Sequence, residues 1–115
     1  MIAHVVLFRP RADLPAGERE RLADTFGTAV AEIGSIRRVR VGRRIRHGRG
    51  YEALMTTDYT HVALFEFDDV AALESYLKHP AHEALAARFF AAFEVALMYD
   101  FALLEGNAAA LLLAP

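Results

Sequence analysis

The 115 residues predict a single α+β domain, and three observations carry that expectation. The spacing of apolar residues switches along the chain between two, the strand period, and 3.6, the helix period. Apolar residues make up 55% and charged residues 24%, a balance that excludes disordered and low-complexity chains. The length suits one domain, which buries roughly two thirds of its extended surface without covalent staples. Cysteine is absent, which removes a disulfide framework, a thiolate zinc site, an iron–sulfur cluster and a thiol nucleophile together. Chemistry is left mainly to five histidines: His4, His47, His61, His79 and His82.

Ile2 to Phe8 is apolar and rich in β-branched residues, and Pro10 closes it, so it reads as a strand. Pro15 opens a helical stretch to Ile33 in which Leu22, Phe26, Ala29, Val30 and Ile33 share one stripe. Proline suits the first helical position, Glu18 and Glu20 sit at the positive end of the dipole, and Gly34 stops the helix. Val39, Val41 and Ile45 alternate with arginines, giving a second strand over Ser35 to Arg46 with one polar face. His47 to Asp58 has two glycines and no period, and reads as a loop. Tyr59 to Phe67 is the third strand. Asp68 or Asp69 caps a short helix carrying Val70, Leu73, Tyr76 and Leu77. A residue before proline is driven out of the α region, so the chain turns near His79 and a new helix starts at Pro80. His82, Leu85, Ala86, Phe89 and Phe93 share its stripe, and Ala96 to Phe101 makes the last strand. The domain is placed at residues 1–102, followed by an apolar tail over 103–115 whose conformation the pattern does not assign.

The order βαββαβ, with its second helix broken, is the ferredoxin-like split βαβ pattern. In the third strand Tyr59, His61, Ala63, Phe65 and Phe67 oppose Thr60, Val62 and Leu64, so both faces are largely apolar. The first strand does the same, with Ile2, His4, Val6 and Phe8 opposite Ala3, Val5 and Leu7. One face of such a sheet takes the helices and the other ordinarily meets water. The chain has no third layer to cover that second apolar face. A second copy, sheet against sheet, is the simplest cover, so a homodimer is expected.

A net charge of -2 and a pI near 6.2 argue against a globally basic nucleic-acid binder. The charge is nevertheless split. Arg37, Arg38, Arg40, Arg43, Arg44, Arg46 and Arg49 place seven positive charges in 13 residues, leaving six basic and 15 acidic residues, or -9, elsewhere. No aromatic residue interleaves, so nucleic acid is not the expected partner, and ion pairs between subunits are preferred to an anion site. Met1 to Pro10 lacks a basic stretch followed by a long apolar run, and Ala108 to Ala114 is far short of the ~20 residues of a membrane helix. A soluble cytoplasmic protein without membrane contact is expected.

Tyr76, His79 and His82 lie three apart across the helix junction, a spacing that gathers a phenol and two imidazoles. His82 falls in the first turn of its helix, where the dipole and an apolar stripe both disfavour imidazolium. A neutral imidazole at pH 7 is what a general base requires, and a phenol can donate to an oxygen that gains charge. The plain structural alternative is a packed tyrosine ring with two histidines satisfying backbone groups. Clustered imidazoles also suit zinc, iron or copper, but only Glu83, four after His79, stands near ligand spacing, so neither metal nor cofactor is expected.

The first strand with His4, the third with Tyr59, Thr60 and His61, and the His79-Pro80-Ala81-His82 motif resemble the stress-responsive dimeric α/β-barrel (Dabb) family over Met1 to Ala102. The resemblance implies a ferredoxin-like protomer and a dimer whose two sheets close into a barrel with a pocket in each half. The family includes a polyketide cyclase performing an intramolecular aldol condensation. By motif, the resemblance implies Tyr76 and His82 as the acid/base pair and His4, His61 and His79 as further substrate-binding residues. The chain departs from the pattern at Asp58, where a glycine usually precedes the tyrosine, and in the extended tail. The expected function is a homodimer that binds a small apolar carbonyl compound and catalyses aldol-type cyclisation or tautomerisation. The alternatives are a non-catalytic stress-responsive binding protein and an oxygenase or haem-related barrel.

Overall fold

Strand pairing builds one four-stranded antiparallel sheet in the order β2-β3-β1-β4, in a computed structural model that describes residues 1–115. The elements run β1 (Ile2–Pro10), α1 (Ala16–Glu32), β2 (Arg38–Arg43), β3 (His61–Phe67), α2 (Val70–Lys78), α3 (Pro80–Ala92), β4 (Phe93–Ala102) and α4 (Ala109–Leu112). The ferredoxin-like order read from the sequence is the order observed. Local chemistry sets the helix starts. The Asp69 carboxylate accepts the Ala72 N–H at 2.8 Å at the head of α2, and Pro80 opens α3 behind a capping His79.

Several strand boundaries differ from the sequence expectation, β1 among them, since it runs on to Pro10. β4 begins at Phe93, immediately after α3, instead of Ala96, because it pairs with β1 from Pro10↔Phe93 to Ile2↔Ala102. Phe93 is therefore a strand residue and not the last member of the helical stripe, although its ring still packs on Phe8 and Phe89. β2 is shorter than Ser35–Arg46, since its ladder with β3 spans only Arg38↔Glu66 to Arg43↔His61. β3 itself starts at His61, not Tyr59. Within the expected loop, Gly50–Leu54 makes a 3₁₀ turn, and the tail holds a second over Gly106–Ala108 before α4.

The helices cover one face of the sheet. Ile2 and Val6 from β1, with Ala63, Phe65 and Phe67 from β3, pack against Ala29 of α1 and Ile33 just after it, Leu73 and Tyr76 of α2, and Leu85 of α3. On the opposite face the registers align Val5 with Leu64 and Tyr99, and Leu7 with Val62 and Leu97. No element covers that face, and Tyr99 and Phe101 stand 56% and 51% exposed there. Only 13 of 115 residues are buried, as a one-sided core dictates.

Four of the seven arginines in the segment find a carboxylate within the chain. Arg40 meets Glu66 at 3.0 Å, Arg44 and Arg46 share Asp58 at 2.6 and 3.0 Å, and Arg37 lies 3.7 Å from Asp68. Asp58, the residue that replaces glycine, thus ties the end of β2 to the loop, and its carbonyl accepts from Arg9 at 2.9 Å. No helix is long and apolar enough to cross a membrane.

Phe67 is fully buried at the centre of the core. Phe67→Ala should cost about 3–5 kcal/mol in urea unfolding, against about 1 kcal/mol for removing the α2 cap with Asp69→Ala. Equal losses in the two variants would contradict this placement of the core.

Candidate active site

Between the inner face of the sheet and helices α1 and α3 lies a cavity of about 670 Å³, with 17 of its 23 lining residues hydrophobic. Strand alternation supplies its floor: His4, Val6 and Phe8 from β1, His61, Ala63 and Phe65 from β3, and Val41 and Arg43 from β2. Phe26, Leu85 and Phe89 form the roof, and the exposed Val41 and Phe90 mark its opening to solvent. His4 is level with Phe65, and Phe8 with His61. Four residues of strand separate these rungs, about 13 Å, so the cavity is a slot with two distinct ends.

His4, Tyr76 and His82 converge on the first end. His4 is only 6% exposed, and its Nδ1–H donates to Asp100 Oδ1 at 2.6 Å from the adjoining rung of β4. That carboxylate satisfies a polar group whose burial is otherwise costly. The Tyr76 ring lies 5.7 Å from His4, 5.2 Å from Phe65 and 4.5 Å from His82, centre to centre. Its hydroxyl makes no hydrogen bond within the chain, and Ser35 Oγ is the only sealed, unpartnered side-chain polar atom, so the phenol keeps an open path to the cavity. Burial pushes the phenol pKa well up, and the Asp100 charge acts in the same direction, so Tyr76 remains a proton donor.

His82 takes its orientation from the break between α2 and α3. Its Nδ1–H donates to the Leu77 carbonyl at 3.1 Å, which leaves the Nε2 lone pair free. Burial lowers its pKa below 6.5, opposed by the bond to Leu77, with His4 lowering it further and Glu83 raising it. The result is a neutral imidazole at pH 7 beside a protonated phenol.

His61 occupies the other end. It stacks on Phe8 at 5.3 Å and shares a hydrogen bond of 2.7 Å with Thr60 Oγ1. Desolvation lowers its pKa, as do the charges of Arg43 and Arg19. His79 lies outside the lining. Its Nδ1 accepts the Ala81 N–H at 3.0 Å and its carbonyl accepts from His82 and Glu83, so it caps α3 and sets the angle from which His82 enters. His47 is remote, bonded to Tyr51 at 2.6 Å. Sequence reasoning missed Asp100 and Arg19, and singled out Arg43 only as one of seven clustered arginines. A lone carboxylate in the last strand was the available signal for Asp100, whereas Arg19 looks like any solvent-facing helix residue. No group of three His, Cys, Asp or Glu side chains is placed to hold a metal ion.

A family model described as a stress responsive A/B barrel domain matches residues 2–103. Olivetolic acid cyclase of Cannabis sativa is 21% identical over 100 residues, covering 87% of this chain and 94% of that protein. Among solved structures, an Arabidopsis thaliana protein superposes with a TM-score of 0.73 at 21% identity, over 91% of this chain and 97% of its own. A Bacteroides fragilis protein, described as dimeric with a ferredoxin-like fold, superposes with a TM-score of 0.61 at 25% identity, over 89% and 95%.

Both cavity histidines with lowered pKa take up protons more readily when unfolded than when folded. Their contribution to stability is therefore fully present above 6.5 and is lost as pH falls below that value. Urea midpoints should fall between about pH 7.5 and pH 5, and His82→Gln should flatten that slope. An unchanged slope in the variant would show that His82 is as easily protonated folded as unfolded.

Proposed function

Because the chain belongs to the stress responsive A/B barrel domain family, we propose that it acts as a homodimer that takes up a small, largely apolar carbonyl compound and enolises it, leading to aldol-type cyclisation or tautomerisation. The observation that carries this reading is the pairing of a neutral His82, its Nε2 free, with a protonated Tyr76 at the head of an apolar slot. His82 Nε2 removes an acidic proton from the carbon beside the carbonyl, and the C–H electron pair moves into the enolate. Tyr76 O–H donates to the carbonyl oxygen as its charge grows, in a site where low polarity strengthens that bond. In cyclisation the enolate carbon bonds to a second carbonyl carbon of the same molecule, and the resulting alkoxide takes the proton from His82. In tautomerisation the proton returns at another position. His4, held by Asp100, orients the oxygen, and His61 contacts the far part of the ligand. Proton transfer of this kind calls for no cofactor.

The name of the olivetolic acid cyclase relative agrees with carbon–carbon ring closure as the outcome. The uncovered sheet face, with Val5, Leu7, Leu64, Leu97, Tyr99 and Phe101, supports the homodimer, as does the dimeric description of the Bacteroides protein.

His82→Ala should reduce turnover of a β-polyketone by about 10²–10⁴-fold, and Tyr76→Phe by about 10²–10³-fold, with light-scattering mass unchanged at twice the chain mass. The acid limb of the wild-type rate profile should lie below 6.5, the ordinary imidazole value. Turnover that survives both substitutions would overturn the assignment, and a protein that binds such ligands without converting them would be a binding protein instead.

A further inference from the structure

Eight of the chain's twelve arginines sit within reach of a carboxylate: Arg9, Arg11, Arg21, Arg37, Arg40, Arg44, Arg46 and Arg88. Of the four that do not, two line the cavity, and both are at the His61 end. Arg43 closes the inner face of β2 on the same rung as His61, while its neighbour Arg44 turns the other way to Asp58. Arg19 reaches in from the start of α1, anchored by its Nε–H to the Leu14 carbonyl at 3.2 Å, with its remaining N–H groups free. Two guanidinium groups therefore face one end of an apolar slot with no acid between them. Neither has a carboxylate partner within the chain, so both charges are available to an anion at that end. Both charges already act on His61, which is neutral at pH 7 and so able to accompany an anion without adding a third charge.

We propose that Arg19 and Arg43 hold the carboxylate of an elongated substrate whose reacting carbonyl sits at the Tyr76–His82 end. Guanidinium forks match a carboxylate with paired, charge-assisted hydrogen bonds. The two ends are about 13 Å apart, which at about 1.2 Å per bond of an extended chain corresponds to about ten atoms. The ligand is then a medium-length oxo-acid with an apolar middle lying along Val6, Ala63 and Phe89, and not a wholly apolar carbonyl compound. The position of the reacting carbonyl rests on the proposed function, whereas the anion end does not.

The test compares decanoate with decanol, neither of which can be converted, in low-salt titrations of the full chain followed by backbone amide and side-chain chemical shifts. The wild type should bind decanoate about tenfold more tightly than decanol, with shifts at His61 and Arg43. In the Arg19→Gln/Arg43→Gln variant that preference should fall to near unity while decanol binding is kept, since both side chains are exposed and outside the core. His82→Ala should retain the preference, which separates failure at the anion end from failure of the catalytic reading. Equal affinity of the wild type for the two probes, no binding of decanoate, or a preference that persists in the double variant would each overturn the proposal.

Discussion

Two ladders fix the register of β1, one of the two central strands of the sheet and the one that carries His4. β3 holds one edge and β4 the other, from Ile2 to Phe8 on both sides. Side chains alternate strictly along a strand, so this double constraint places His4, Val6 and Phe8 under the helices and Ala3, Val5 and Leu7 on the uncovered face. A slip of one residue would send His4 away from Asp100 and Tyr76 and remove the floor of the cavity. The slot, its two ends and the distance between them all follow from that register.

The apolar environment then assigns the chemistry. Desolvation is the first cause of the raised phenol at Tyr76 and of the lowered imidazoles at His82 and His61. One physical effect thus keeps the acid protonated and the bases neutral, with backbone and carboxylate partners choosing which nitrogen carries the proton. The same effect explains why charge is confined to the rim, at Arg19 and Arg43, and to Asp100, which is 44% exposed at its side chain.

Period and punctuation in the sequence were enough for the element order, since each helix and strand buries a stripe that its own spacing reveals. They misplaced the ends of β2 and β4, because pairing across the sheet extends or truncates a strand whatever its local pattern. The Tyr76–His82 cluster was legible for a local reason, helical spacing across a proline break. His79 shared that spacing, yet the proline that follows it places it at the cap of α3, where its ring serves the backbone. Alternation placed His4 and His61 each on a face of its own strand, but that the two faces coincide, and that the histidines lie at opposite ends of a slot, is a property of long-range register. The places of Arg19, Arg43 and Asp100 at the cavity were not legible for the same reason: each acts through a neighbour distant in sequence.

The protonation state of His82 at neutral pH tests most directly whether the cavity works as described. Nitrogen-15 spectra of the imidazole through a pH titration report both the charge and the tautomer. The expected result is a neutral ring at pH 7, protonated on Nδ1 and open at Nε2, with a transition below 6.5. A doubly protonated ring at pH 7, or a neutral ring carrying its proton on Nε2, would contradict the assignment of His82 as the base.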